Sequence, residues 1–174
     1  MRPMIEKLIP EQIDPFRYAE QSLRLSGVVR LADMPRLAEN AEKGGAVTAE
    51  LAFGRDEQGV TYLKGHLKTQ LTLTCQRCME PFTYAIMSDF VLGIVNSLDE
   101  VDALPGHYEP ALVKEGSLAL KDLIEDEVIL NLPIIPRHAP HDCKVKMPLS
   151  TVSGEADKAE NPFQVLASLK HKQK

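Results

Sequence analysis

The sequence predicts an α+β fold, in which an antiparallel β-sheet is covered by a few helices within a single domain. Apolar and polar residues alternate through much of residues 47–95, and apolar residues recur at helical spacing on both sides of that stretch. The chain has 174 residues, a usual size for one domain. Its 44% hydrophobic and 26% charged residues are typical of a globular protein.

Two short helices with one strand between them are predicted before the sheet. Asp14 can cap a helix that begins at Pro15, because proline already has the φ angle of a first helical turn. Alternation across residues 23–29 favours a strand, with Gly27 as a candidate bulge. A second helix is predicted to begin near Asp33 and to end at residues 44–45.

The centre of the chain predicts consecutive antiparallel strands within residues 47–95. In the longest of them, alternate residues from Leu67 to Cys75 share one face. The alternation resumes at Phe82, so residues 75–78 are predicted to form the turn of a hairpin.

After the sheet, residues 97–116 are predicted to form a long acidic loop. A helix is predicted within 117–130, with Ser117 as its cap, because apolar residues there recur at helical spacing. A competing interpretation makes residues 128–135 a buried strand.

The core domain is predicted to span residues 1–149, followed by a polar, flexible linker at 150–162 and a short basic amphipathic tail at 163–174. The N-terminal residues lack the features of a signal peptide, and no apolar run is long enough to span a membrane. Three cysteines, an odd number, favour free thiols or metal ligands in a reducing compartment. The sequence therefore predicts a cytoplasmic protein.

The net charge of −5 argues against a strongly basic nucleic-acid binder. Residues 99–127 contain nine acidic and two basic residues, a balance of −7, which leaves +2 for the rest of the chain. This asymmetry predicts one acidic face and one mildly basic face. The acidic residues Glu125, Asp126 and Glu127 are interpreted as an exposed face, which either is simply solvated or docks a basic partner.

Cys75 and Cys78 form a C-x-x-C pair at the predicted hairpin turn. Two thiolates at this spacing can bind one zinc ion, which takes four ligands in a tetrahedron. The second pair of ligands can come from Cys143 with either His138 or His141. Such a site forms only if the loop that carries Cys143 folds back over the hairpin turn.

Free thiols and a redox-active pair are the alternatives to zinc. A redox pair needs a helix N-terminus that lowers the thiol pKa, whereas strand-like segments flank this pair on both sides. The sequence also lacks the catalytic motifs G-x-S-x-G, G-x-x-x-x-G-K and H-E-x-x-H. The hypothesis of a thiol- or zinc-dependent enzyme therefore rests on the cysteines alone.

Lysine and arginine side chains near the two cysteine-bearing segments are the candidates for contact with RNA phosphates. They are Lys64, Lys68, Arg77, Arg137, Lys144 and Lys146. If the segments meet through the cysteines, we expect these charges to form one patch. Ordinary surface charge is the alternative interpretation.

Several stretches in a fixed order resemble the YceD family, and together they span nearly the whole chain. They are Asp14-Pro15, residues 71–78 (LTLTCQRC) with Pro81-Phe82, residues 123–130 (LIEDEVIL), Leu132-Pro133 with Pro136, and residues 161–170 (NPFQVLASLK). The last stretch is the most specific.

The resemblance implies a cytoplasmic protein needed for the accumulation of large-subunit ribosomal RNA, with no catalytic residue to carry over. Its partners would be that RNA or ribosomal proteins; a basic ribosomal protein docked on the acidic region is the alternative to direct RNA binding. Relatives often have further cysteines in the loop matching residues 137–148. This chain has only Cys143 there, with His138 and His141 nearby.

Overall fold

The structure of the protein, a computed structural model, describes residues 8–38 and 45–145. Its first unit, which ends at Cys143, contains all the elements described below. The predicted α+β class is confirmed. The predicted domain boundary at residue 149, the linker and the basic tail lie outside the described residues.

The described residues form seven strands and four helices, with short connections between most of them. In chain order they are β1 (Gln12–Ile13), α1 (Pro15–Glu20), β2 (Arg24–Arg30), a 3₁₀ turn (Leu31–Asp33), α2 (Pro35–Ala38), β3 (Ala46–Arg55), β4 (Thr61–Thr74), β5 (Pro81–Val95), α3 (Leu98–Val101), β6 (Glu109–Leu112), β7 (Leu118–Ala119) and α4 (Leu120–Leu130). None of these helices combines the length and apolar character needed to cross a bilayer.

The main sheet has five strands in the order β2-β3-β4-β5-β6, and β1 pairs with β7 in a separate two-stranded ribbon. Strands β3 to β5 are antiparallel, as predicted; β2 also pairs antiparallel with β3, whereas β6 joins β5 in parallel. The prediction that residues 97–116 form a loop is therefore wrong, since they include α3 and β6. Pro110 argues against a strand in the sequence, yet an edge strand tolerates a residue that has no N–H to donate.

The two faces of the sheet have different surroundings. On β4, Leu63, Leu67 and Leu71 are buried in the core, where residues of α1, α2 and α4 pack with them. Because side chains alternate along a strand, Lys64 and Lys68 lie on the opposite face and are exposed. This arrangement explains the alternating pattern of the central sequence.

Three local predictions are wrong. Gly27 is not a bulge, because β2 pairs with β3 in one unbroken register that includes Gly27 and Ala49. Ser117 is not the cap of α4, since two residues of β7 intervene and Ala119 occupies the cap position. Residues 128–135 are not a buried strand, because α4 continues to Leu130 and a loop follows.

The predicted first helix is confirmed, with Asp14 as its cap: its Oδ1 accepts a hydrogen bond of 3.0 Å from the Arg17 N–H. The second helix, α2, begins at Pro35, while Asp33 ends the preceding 3₁₀ turn and binds the Arg30 guanidinium. Residues 39–44, through which this helix was predicted to continue, are outside the described residues.

Candidate functional site

The turn between β4 and β5 holds Cys75 and Cys78. The Cys75 N–H donates to the Glu80 carbonyl oxygen, and the Met79 N–H donates to the Cys75 carbonyl oxygen, both at 2.9 Å. Met79 takes the left-handed conformation, with φ of 59°, which lets the chain reverse in a short turn. These hydrogen bonds place the Cys75 thiol in the interior and leave Cys78 half-buried.

The loop after α4 returns to this turn through contacts of its own. The Gln76 N–H donates to the Pro136 carbonyl oxygen at 2.8 Å, which fixes the start of the loop beside the hairpin. The His138 ring then packs against the Phe82 ring, with 5.0 Å between their centroids. Cys143, further along the same loop, is also buried.

Together the two segments form a cluster of Cys75, Cys78, His138 and Cys143, whose ligand atoms all lie within 4.8 Å of one another. Nδ1 of His138 is 3.4 Å from Sγ of Cys78, and the His138 N–H donates to Sγ of Cys75 at 3.5 Å. These are the four residues that the sequence suggested as metal ligands. His141, the alternative ligand, is exposed and lies beside Asp142 at 3.2 Å.

The thiols of the cluster differ in their affinity for protons. Burial acts to raise the pKa of Cys75, but N–H donors of His138, Cys78 and Arg77 outweigh it and lower the pKa to about 5. The pKa of Cys78 is raised, first by burial and then by the sulfur atoms of Cys143 and Cys75. Negative charge therefore settles first on Cys75, and further charge on the cluster is unfavourable without a cation.

Arg77 supplies positive charge next to these sulfur atoms. Its Nε lies 2.9 Å from Sγ of Cys143, and its Nη2 donates to the His138 carbonyl oxygen at 3.3 Å. The guanidinium thus joins the C-x-x-C turn to the loop. Because Arg77 is half-buried and makes these contacts, it belongs to the cluster more than to the outer surface.

The donor set fits a tetrahedral metal ion. Four ligands placed about 2.3 Å from a common centre lie about 3.8 Å from one another. The observed upper limit of 4.8 Å means that small side-chain rotations bring Cys75, Cys78, His138 and Cys143 to that geometry. Three sulfur atoms and one imidazole nitrogen form a site that binds zinc in preference to magnesium or calcium.

The cations predicted to contact RNA do not all gather at the cluster. Lys64 and Lys68 lie on the outer face of β4, about 36 Å and 23 Å from Cys75 at about 3.3 Å per residue. Arg137 is exposed on the loop beside the hairpin turn. Lys144, also exposed, follows Cys143 in the sequence, and Lys146 is outside the described residues. The expectation of one patch is therefore wrong for the two lysines of β4.

The interpretation of residues 125–127 as an exposed acidic face is wrong for two of the three. Glu125 and Glu127 are buried, at 3% and 8% exposure, and only Asp126 is exposed. Glu125 accepts hydrogen bonds from the Leu37 N–H at 2.9 Å and from Nε of Arg36 at 3.1 Å. It therefore joins α4 to α2 and cannot meet a partner.

Sequence patterns did not indicate a groove of about 1020 Å³ between the edge strand β6 and helix α4. Its acidic lining includes Glu109, Glu115, Asp122, Asp126 and Glu127. The excess of acidic residues in 99–127 was the only signal of it, because the pairing of β6 with β5 decides which of them converge.

A family model described as "Large ribosomal RNA subunit accumulation protein YceD" matches residues 63–170, which include the hairpin turn, α4 and the loop with His138 and Cys143. A relative of that name from Haemophilus influenzae is 35% identical over 171 residues, covering 94% of this chain and 97% of the relative. No solved structure matches the chain significantly. The chain therefore belongs to the YceD family of large ribosomal RNA subunit accumulation proteins.

Proposed function

We propose that this chain is a non-enzymatic cytoplasmic factor that supports the accumulation of large-subunit ribosomal RNA by binding that RNA. Membership of the YceD family supports the role in ribosomal RNA accumulation. The observation that carries the binding mechanism is the cluster of three cysteines and one histidine. It fixes the loop with Arg137 beside the hairpin turn, and so gives a cationic side chain a defined position.

The cluster would hold one zinc ion through Cys75, Cys78, His138 and Cys143. With four protein ligands the coordination shell is complete, which is typical of structural zinc rather than of catalytic zinc with an open position. When bound, zinc would compensate the negative charge of the thiolates and hold the loop against the hairpin. A closed shell also disfavours the thiol- or zinc-dependent enzyme.

The RNA contact would come from exposed cations, since phosphates supply most of the affinity of nucleic acids for proteins. Arg137 and Lys144 are the first candidates, with Lys64 and Lys68 as a separate pair on the outer face of the sheet. Arg77 would act indirectly, because its guanidinium contacts Cys143 and the His138 carbonyl oxygen.

Elemental analysis of the full chain, purified without added metal, tests the zinc site. We expect about one zinc ion per chain, and its loss in Cys75→Ser and Cys143→Ser. His141→Ala is the matched control, since His141 lies outside the cluster, and it should retain the zinc. A chain that is free of zinc and does not take it up on addition contradicts this proposal.

Filter binding of the full chain to fragments of large-subunit ribosomal RNA, over a series of salt concentrations, tests the RNA contact. Charge reversal in Arg137→Glu should weaken binding and reduce the slope of log K against log salt concentration by about one. Arg17→Glu is the control, because Arg17 is exposed on α1, which packs on the covered face of the sheet. Absence of salt-dependent binding by the unaltered chain excludes direct contact.

The second candidate function is an adaptor that docks a basic ribosomal protein on the acidic region. The groove between β6 and α4 is the observation that favours it, because most of its charged lining residues are acidic. Capture of basic ribosomal proteins by the immobilised full chain tests this function. Because Glu125 already accepts a hydrogen bond from the Leu37 N–H of α2, a partner would have to bind other acidic residues of the groove.

A further inference from the structure

The groove along α4 adjoins a second groove of about 520 Å³. Glu109, Glu127 and Leu130 line both. Grooves of this volume are far larger than a single ion needs and have room for a peptide of a few residues.

Glu127 lies where the two grooves meet, and it is only 8% exposed. Across residues 8–38 and 45–145, its carboxylate has no hydrogen bond or ion pair, and its oxygens are open to the grooves rather than fully enclosed. Burial raises the pKa of Glu127, and the neighbouring charges of Glu109 and Asp126 raise it further. Partial desolvation makes the charged form of this carboxylate costly, and a cation bound in the groove would lower that cost.

The other residues that line the larger groove include further acidic side chains and exposed apolar ones. Arg36 and Lys114 are the basic residues that line the larger groove, and Arg36 already binds Glu125 and Asp126. Leu112 and Leu130 lie at the groove with exposures of 40% and 74%. Acidic groups beside exposed leucines match a lysine or arginine side chain, whose aliphatic stem packs on apolar surface while its charge meets a carboxylate.

Other ligand classes fit less well. In the described part of the chain, the acidic residues of the groove do not form a three-ligand metal cluster, since the cysteine–histidine group is the one that does. RNA phosphates would be repelled by Glu109, Glu115 and Asp122. Charge complementarity therefore selects a basic protein segment.

We propose that the groove between β6 and α4 binds an extended lysine- or arginine-rich segment of a partner protein, with one of its cations against Glu127 and Glu109. This inference rests on the adaptor function and specifies its site. It is separate from an RNA contact through Arg137 and Lys144, whereas Lys64, another candidate for RNA contact, lines the smaller groove.

Fluorescence anisotropy with a labelled peptide of alternating lysine and alanine, added to the full chain at low salt, tests the site. We expect saturable binding that Glu127→Gln weakens by at least about tenfold, because a desolvated charge pair is lost. Glu109→Gln, at an exposed position of the same groove, should also weaken it. Glu57→Gln is the matched control, since Glu57 is an exposed acid in the turn between β3 and β4.

The outcomes separate the site from the adaptor function. If the unaltered chain binds neither the peptide nor basic ribosomal proteins, the inference and the adaptor function both fail. If it binds them and neither groove variant changes the affinity, or all three variants weaken it equally, the adaptor function stands and this site is wrong. If Glu127→Gln instead dissociates a dimer in sedimentation experiments, the occupant is a second copy of the chain and the inference is overturned.

Discussion

The cysteine–histidine cluster joins ligands from two segments that are distant in sequence, whereas the acidic groove collects carboxylates from residues 109–127. They differ in what compensates the charge. At the cluster, N–H donors surround Cys75, and the Arg77 guanidinium contacts Cys143. At the groove, the carboxylate of Glu127 has no hydrogen bond or ion pair with a described residue, although Lys64 lines the adjoining smaller groove.

This difference separates the cluster, whose ligands all come from this chain, from the groove, whose charge would be compensated by another molecule. The cluster has its four ligands and the loop contact from Gln76 to Pro136 in place, so a small ion would be enough to close it. The groove keeps a carboxylate whose charge is costly, and a proton or a bound cation would offset that cost. The predictions below test each side of that contrast.

The largest expected effect is that of zinc on the stability of the cluster. When free zinc is about 1,000 times its Kd, binding to the folded chain alone adds about 4 kcal/mol to the free energy of unfolding. Denaturant titration with zinc and with a chelator should show this difference in the unaltered chain and not in Cys75→Ser. His141→Ala should behave like the unaltered chain; if zinc stabilises neither, the cysteines are free thiols.

Loss of Glu125, an acidic residue of α4 whose carboxylate has partners, should reduce the stability of the fold. In Glu125→Ala, the Leu37 N–H and the Arg36 guanidinium lose their acceptor, and we expect a loss of about 3 kcal/mol in the free energy of unfolding. Asp126→Ala removes an exposed partner of the same arginine and should cost less than about 1 kcal/mol. Equal losses in denaturant titrations would show that burial of Glu125 is unimportant.

Arg77→Gln should weaken the cluster without removing a ligand. Groups that contact the ligands of a metal typically change its affinity by about 10-fold to 100-fold, and Arg77 contacts Cys143 and the His138 carbonyl oxygen. Competition with a chromogenic chelator measures the affinity. Arg137→Gln, in the same loop but exposed, should leave the affinity for zinc unchanged.

The smallest expected effect is the response of stability to pH at Glu127. Its folded pKa is raised above the ordinary value of 4.5, so the folded chain holds this proton more tightly than the unfolded chain does. The resulting stability is complete below pH 4.5 and is lost as the pH rises through the folded pKa. Glu127→Gln should therefore be more stable than the unaltered chain at pH 7.

That advantage of Glu127→Gln should shrink as the pH falls and disappear below 4.5, where Glu127 is protonated in both states. Thermal melts of both proteins across this range measure it, and Glu57→Gln is the exposed control. A Glu127→Gln variant that is less stable at pH 7 would mean that the carboxylate has a compensating partner, and the contrast with the cluster would disappear.

Local patterns were enough for much of the fold and for part of the site. The Asp14-Pro15 start of α1 was predicted correctly because capping involves neighbouring residues only. The turn at residues 75–78 was predicted because side-chain alternation stops and resumes around it. Strand β6 was missed, since its short sequence contains Pro110 and its partner β5 is only reached through the turn that follows α3.

By itself, the sequence determined the alternating core face of β4, the position of the C-x-x-C turn and the short list of residues that could complete a metal site. Tertiary structure decided that His138 rather than His141 faces the cysteines, and that the carboxylate of Glu125 has partners while that of Glu127 has none among the described residues. The physical reason is the distance along the sequence over which each interaction acts. Alternation and capping act between residues close in the chain, whereas ligation and burial depend on which distant segments pack together.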